Sequence, residues 1–230
     1  AALIIRTLEL LQNKEKAKIL AGFFKTGKGE YGEGDVFLGI TVPESRKIAK
    51  QYASLPLSEI LLLLQNKIHE CRLVSLLILI EKFRGGNSTE QKEIVDFYLK
   101  NTKYINNWDL VDLTADKIIG AYLFDKDKKI LYQLAKSNYL WERRISIIST
   151  FDFIKKSKFD ETLLITELLL HDKHDLIHKA VGWMLREVGK RNKTVEEEFL
   201  KKHYKTMPKT MLRYAIEKFS EEERKEYLRK

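Results

Sequence analysis

Residues 104–123 read YINNWDLVDLTADKIIGAYL. Leu110, Leu113, Ile118 and Leu123 recur there at roughly helical spacing, which predicts an amphipathic helix. Its start falls at Asn106 or Asn107, whose amide oxygen can accept from the first unpaired backbone N–H groups. Trp108 and Asp112 are four apart, while Asp109 lies three before Asp112 and Asp116 four after it. The reading therefore places one indole and three carboxylates on one side of the helix. Like charges so close repel one another. Either this is an acidic solvated face with Trp108 tucked beneath it, or it is a site that handles a cation.

Outward from this stretch the chain offers almost nothing but helical patterns. Two apolar-periodic segments fill residues 2–24 and are parted by a charged turn around Asn13–Glu15. Pro43 opens PESRKIAKQYASL at a first turn, where a missing N–H costs little, and Ser58 is expected to cap SEILLLLQNK. HECRLVSLLILIEKF and QKEIVDFYLK follow. Beyond the central stretch come KDKKILYQLAKS, LWERRISIISTFDFIKK, DETLLITELLL, DLIHKAVGWMLREVGK, VEEEFLKKHYK and KTMLRYAIEKF. Strand patterns are missing from this series. Short helices joined by short polar turns, recurring in pairs, predict an all-α fold: an α-solenoid whose units bury their apolar faces by stacking on neighbours. Its concave face would hold an extended partner. No segment has the composition of a linker, so residues 1–230 are expected to form a single domain.

The charge balance says what that partner is. Lysine and arginine number 42 against 33 acidic residues, a net charge of +9, which favours a polyanion, nucleic acid before an anionic membrane surface. With 44% hydrophobic residues the chain can bury a proper core. No apolar run reaches the length of a membrane span, and charges interrupt the first twenty residues too early for a signal sequence. A soluble, unprocessed, cytoplasmic protein is expected. The single cysteine, Cys71, lies in an apolar helical pattern and reads as a small core residue.

Motifs for a cofactor or metal are weak. Gly27, Gly29 and Gly32 spell GxGxxG within KTGKGEYGEGD, yet a dinucleotide site needs a strand before that run and a helix directly after it. A mobile basic loop that lies along phosphates suits the run better. His171, His174 and His178 have helix-compatible spacing, but HDKHD has the look of a turn and helix start, so no metal and no cofactor are expected. The three tryptophans all stand beside charged helical positions: Trp108 by Asp112, Trp141 by Arg143 and Arg144, Trp183 by Arg186 and Glu187. Trp141 and Arg144, three apart, share a face. Arg143 points elsewhere.

Taken together, the run FFKTGKGEYGEGDVFLGITVPESRKIAK, the motif NNWDLVD and the segments LWERRISII, IHKAVGWMLREVGK and MLRYAIEK resemble the AlkD-type DNA alkylation repair proteins, DNA glycosylases built from HEAT-like helical repeats. The resemblance runs from about Phe23 to Lys218. It implies HEAT-like repeats with a basic concave face on double-stranded DNA, acting as a monomer. It also implies removal of N3- or N7-alkylated purines, whose glycosidic bond is already weakened by positive charge on the base. Asp112 is similar to the family's catalytic aspartate, Trp108 and Trp183 to the aromatics at the lesion, and Arg144 to the arginine near it. Phe24 stands where some members carry a tyrosine, so a hydroxyl contact there is lost. Two other readings compete: an inactive relative that binds distorted or branched DNA, and a helical scaffold for a protein partner.

Candidate phosphate contacts are Lys28, Arg46, Arg144, Lys179, Arg186, Lys190 and Arg213. If about four to eight such cations neutralise phosphates, log affinity for undamaged duplex should fall against log salt with a slope of roughly −4 to −7 in a fluorescence-anisotropy titration. A slope near zero would remove nucleic acid as the partner.

Overall fold

A computed structural model describes residues 1–229. The described residues contain helices and turns, with one isolated parallel bridge between Val36 and Ile68. By packing they divide into two compact units that part between Thr114 and Ala115.

The first unit comprises α1 (Ala2–Leu10), α2 (Lys14–Phe23), α3 (Val42–Gln51), α4 (Leu57–Leu64), α5 (His69–Gly85), α6 (Ser88–Lys100) and α7 (Trp108–Asp112). Helix α5 is its centre. Its apolar residues are not confined to one stripe, and it is buried all round, packing against α1, α3, α4, α6 and α7. Cys71, on α5, has no exposed surface, and burial pushes its thiol up to about 12. Local signals set the helix boundaries. Asn13 accepts from Lys16 N–H to cap α2, Thr41 and Glu44 form a capping box ahead of α3, and Asn87 with Glu90 does the same for α6. Pro56, not Ser58, occupies the cap position of α4, which begins at Leu57. Pro56 lacks an N–H, and its extended backbone (ψ 154°) leads into the first turn without a side-chain cap.

The central stretch departs from one continuous helix. Asn107 takes the cap position, accepting from Trp108 N–H at 2.8 Å, and α7 runs only five residues. The second unit opens with a π-helical turn, Asp116–Gly120, continued by α8 (Ala121–Leu123). Gly120 is the reason for close packing there, because a Cβ would lie 2.1 Å from the Ser149 carbonyl oxygen. The unit continues with α9 (Lys129–Ala135), α10 (Leu140–Ser149), α11 (Phe151–Lys155), α12 (Asp160–Leu169), α13 (Asp175–Gly189), α14 (Lys193–His203), α15 (Lys209–Ala215) and α16 (Glu221–Leu228). Helix α13 is central, against α10, α11, α12, α14 and α15. LWERRISIISTFDFIKK is two helices, α10 and α11, meeting at Thr150.

Two glycines should respond with opposite sign. A Cβ on Gly182 of α13 would meet the Met211 carbonyl oxygen at 2.4 Å and Tyr214 Cβ at 2.5 Å on α15. Gly182→Ala should therefore cost about 1–3 kcal/mol through overpacking. Gly22, inside α2, has nothing within 4 Å, so Gly22→Ala should gain about 0.5–1 kcal/mol from helix propensity. Thermal melts of both variants test the pair.

Candidate functional site

The chemistry of the first unit gathers at the start of α5. His69, 2% exposed, has both ring nitrogens facing carboxylates: Nδ1 lies 3.2 Å from Asp35 Oδ2 and Nε2 lies 2.8 Å from Asp109 Oδ2. Carboxylate oxygens only accept, so both nitrogens must donate, and this geometry belongs to the imidazolium. Arg72, one turn along α5, pairs with Asp35 at 2.6 Å and donates to the Asn66 carbonyl at 3.0 Å. Two carboxylates, one guanidinium and one imidazolium sum to zero charge. Between His69 and Arg72, Glu70 accepts from the backbone N–H groups of Leu38, Gly39 and Ile40 at 2.8–3.2 Å.

Those bonds hold the segment after the glycine-rich run. Val36 N–H donates to the Lys67 carbonyl at 3.1 Å and His69 N–H to the Val36 carbonyl at 2.8 Å. Gly39 adopts φ +85° where a Cβ would sit 2.2 Å from the Asn13 carbonyl oxygen. The expected mobile loop is thus anchored at its end by Asp35 and by the N–H groups bound to Glu70. Lys28 is exposed on it.

A run of rings lies beside the charged cluster. Trp108 stacks on Phe24 at 5.0 Å, Phe24 on Phe37 at 5.0 Å, and Phe37 on His69 at 4.5 Å, with interplanar angles of 16–22°. Phe24, the residue after α2, is buried in this stack, and Trp108 is half-buried. Phe23 meets Trp108 edge-on at 5.7 Å and is 62% exposed.

The three aspartates of the central stretch differ in their surroundings. Asp109 is buried and bound to His69. Asp116, on the π-turn of the second unit, is buried and takes Lys117 at 3.0 Å and Lys155 at 2.9 Å. Asp112 is half-buried at the end of α7. Asp109 and Asp116 each have a cationic partner of their own.

In the second unit Trp183 is half-buried, donates from Nε1 to Glu187 at 3.3 Å and packs on Phe151 at 5.7 Å. Lys155 and Arg191 lie over the Phe151 ring at 5.1 and 5.9 Å, a basic and aromatic surface suited to nucleotides. Glu187 also takes Lys190 at 2.6 Å and Arg191 at 3.2 Å. Burial would raise its pKa, but these cations and the indole N–H outweigh it and hold the carboxyl below its ordinary value. Arg143 binds Asp172 at 2.6 Å. Arg144, 5% exposed, donates to the Leu176 carbonyl oxygen, and Trp141 is buried on the same helix.

Among the other expected phosphate contacts, Arg46 and Arg213 are exposed, Lys179 pairs with Asp175 at 2.7 Å, and Arg186 pairs with Glu217. A phosphate would have to compete with those carboxylates. The histidines after α12 have structural work: His174 Nδ1 accepts from Leu176 N–H at 3.1 Å to cap α13, and His178 meets the Asp172 carbonyl oxygen at 2.5 Å. His69, Asp35 and Arg72 were missed from sequence. The available signal was HExR at the start of an otherwise apolar helix.

His69 makes stability depend on pH. Burial by itself lowers an imidazole pKa, but Asp109 and Asp35 outweigh it here and raise it above the ordinary 6.5. A raised folded pKa stabilises fully below about 6.5, and that contribution is lost as pH rises through the folded value. Asp35 runs the other way: burial would raise it, but His69 and Arg72 hold it below 3.8, so its contribution is lost in acid. His69→Ala should cost about 3–5 kcal/mol at pH 6 by leaving buried carboxylates uncompensated. His69→Gln should lose the alkaline decline in stability. Urea denaturation at pH 5.5 to 9 measures both.

Residues 4–219 match the profile of the family described as "DNA alkylation repair enzyme". A search of curated proteins gives no match. Among solved structures the fold is similar to a predicted DNA alkylation repair enzyme from Enterococcus faecalis, with TM-score 0.72, 18% identity and coverage of 91% of this chain and 97% of that one. It is also similar to AlkD2 from Streptococcus mutans, with TM-score 0.56, 19% identity and coverage of 96% and 98%. A third likeness is smu.31 from Streptococcus mutans UA159, with TM-score 0.54, 18% identity and coverage of 93% and 94%. These structural likenesses establish the all-α, HEAT-like helical arrangement, and the profile match extends over nearly the whole chain, which therefore belongs to the DNA alkylation repair enzyme family.

Proposed function

We propose that this chain is a monofunctional alkylpurine DNA glycosylase, with residues 1–230 working as one HEAT-like repeat domain on double-stranded DNA and Asp112 as its catalytic carboxylate. The supporting observation is the difference among the three aspartates. Asp109 and Asp116 are buried, whereas Asp112 is half-buried, one helical turn from the half-buried Trp108. Of the three, Asp112 is the one with surface left for an external cation.

The chemistry asks little more. In an N3- or N7-alkylated purine the C1′–N bond breaks with its electron pair going to the base, which leaves neutral and needs no general acid. Positive charge remains on the sugar, a water oxygen bonds to C1′, and that water's proton passes to solvent. One fixed carboxylate stabilises the oxocarbenium-like sugar and orients the water. Trp108, backed by Phe24, offers an electron-rich face to the same charge. Trp183 and Arg144 enter this reading through the family's motifs. Arg144 donates to the Leu176 carbonyl, so its part includes holding the start of α13. The exposed or rim cations Lys28, Arg46, Lys179, Arg186, Lys190 and Arg213 take the DNA phosphates.

Asp112→Asn keeps the side-chain size and removes the charge. Release of base from methylated duplex should slow by about 10²–10³, while affinity for undamaged DNA holds or tightens slightly. Asp109→Asn disturbs the His69 network and should act through stability. Trp108→Ala and Trp183→Ala should slow single-turnover excision by about 1–3 kcal/mol. Asp112→Asn excising at the parent rate, with DNA binding intact, would leave a DNA-binding protein without this catalytic carboxylate.

A further inference from the structure

Helix α7 carries Trp108 and Asp112 at its two ends and runs only five residues. A helix that short has too few internal hydrogen bonds to hold itself, so its packing partners decide how it sits. Leu110 and Val111 are buried on it, but apolar contact is non-directional and fixes depth better than rotation. Asp109 supplies the direction. It is the second residue of α7 and 6% exposed, and its Oδ2 accepts from His69 Nε2 at 2.8 Å. Its Oδ1 is buried with no hydrogen-bond partner, so the carboxylate is held through Oδ2.

His69 reaches the indole by a second route. Its ring stacks on Phe37 at 4.5 Å, Phe37 on Phe24 at 5.0 Å, and Phe24 on Trp108 at 5.0 Å. Two adjacent residues of α7 are therefore tied to one buried imidazole, Trp108 through a run of rings and Asp109 through a hydrogen bond. The other ring nitrogen, Nδ1, lies 3.2 Å from Asp35 Oδ2 and 3.4 Å from Arg72 Nη2. Those groups belong to the preceding loop and to α5, and the neighbouring Glu70 is turned to the N–H groups of residues 38–40. Of the two ring nitrogens, only Nε2 meets α7.

We propose that His69 is a positioning residue for the reaction at Asp112: its Nε2–H, bonded to Asp109, fixes the rotation of α7 and with it the places of Trp108 and Asp112. Its bearing on excision rests on the preceding reading, whereas the coupling of His69 to α7 does not. Displacing reacting groups by about 1 Å can slow a reaction roughly a hundredfold, so a side chain that never touches the substrate can set the rate.

Two neutral amides separate positioning from charge compensation. His69→Gln can place an N–H near the Nε2 position, whereas His69→Asn reaches only the Nδ1 position, and a role confined to charge would treat them alike. In single-turnover release of 7-methylguanine from methylated duplex, the rate constant is read apart from the active fraction. His69→Asn should lower that rate constant about tenfold or more, and His69→Gln by about threefold or less. Without DNA, the indole N–H resonance of Trp108, assigned with Trp108→Phe, should shift in His69→Asn and stay near the parent's in His69→Gln, with Trp141 and Trp183 unmoved in both. Ile78→Val, a mild loss of packing elsewhere on α5, should lower the melting temperature and leave the rate constant and the Trp108 resonance as they are. Should His69→Asn fail to fold, Asp109→Asn, which can still accept from Nε2, and Asp109→Leu, which cannot, give the same contrast from the other side. An unmoved Trp108 resonance in His69→Asn, or equal shifts and rates in the two amide variants, would overturn the proposal. A parent protein that excises nothing, with Trp108 shifting in His69→Asn alone, would refute the glycosylase reading and support the coupling of His69 to α7. Excision at the parent rate by His69→Asn would refute the positioning role and leave the glycosylase reading in place.

Discussion

The first unit depends on burying charge at the head of an apolar helix. His69, Glu70 and Arg72 enter α5 ahead of a long apolar run, and all three are buried. Three ionisable groups in one turn are tolerable in a low-dielectric interior only when every charge is met. Glu70 is met by three backbone N–H groups of residues 38–40, Arg72 by Asp35 and loop carbonyls, and His69 by Asp35 and Asp109. Meeting those charges therefore ties a loop, a helix start and α7 to α5.

That tie has a chemical consequence at Trp108. Asp109 is the second residue of α7, so bonding it to His69 sets the rotation of this five-residue helix, which propensity alone is too weak to hold. The rotation buries Asp109, leaves Asp112 and Trp108 half-buried, and brings the indole onto Phe24. The same loop carries Phe37 into the stack. The electrostatic network, its side chains largely buried, thus orients the aromatic surface and the candidate catalytic carboxylate together. In the second unit the comparable role falls to Glu187, which gathers Trp183, Lys190 and Arg191 beside Phe151. There the cations stay partly exposed, which leaves them able to exchange a carboxylate for a phosphate at modest cost.

Much of this was legible in the chain because short-range patterns decide it. Helical periodicity located nearly every element, and the Asn107 cap is a local hydrogen-bond choice that a sequence displays. Positions that failed share a cause. Ser58 lost the α4 cap to Pro56, and the central helix broke into α7 and a π-turn, because packing outweighs propensity over one or two residues. The solvated reading of Asp109 and Asp116 failed for the same reason, since both are buried and residue spacing ignores partners distant in sequence.

By itself the sequence determined the helix content, the basic balance, the positions of Trp108, Asp112 and Trp183, and through its motifs the family. All of these are carried by residue type and near-neighbour spacing. Only the tertiary structure decided which aspartates are buried and which is left partly exposed, and that His69 rather than the later histidines lies between two carboxylates. Each of those turns on a contact between residues some 30 to 40 positions apart, such as Asp35 with His69 and His69 with Asp109, which no local pattern encodes.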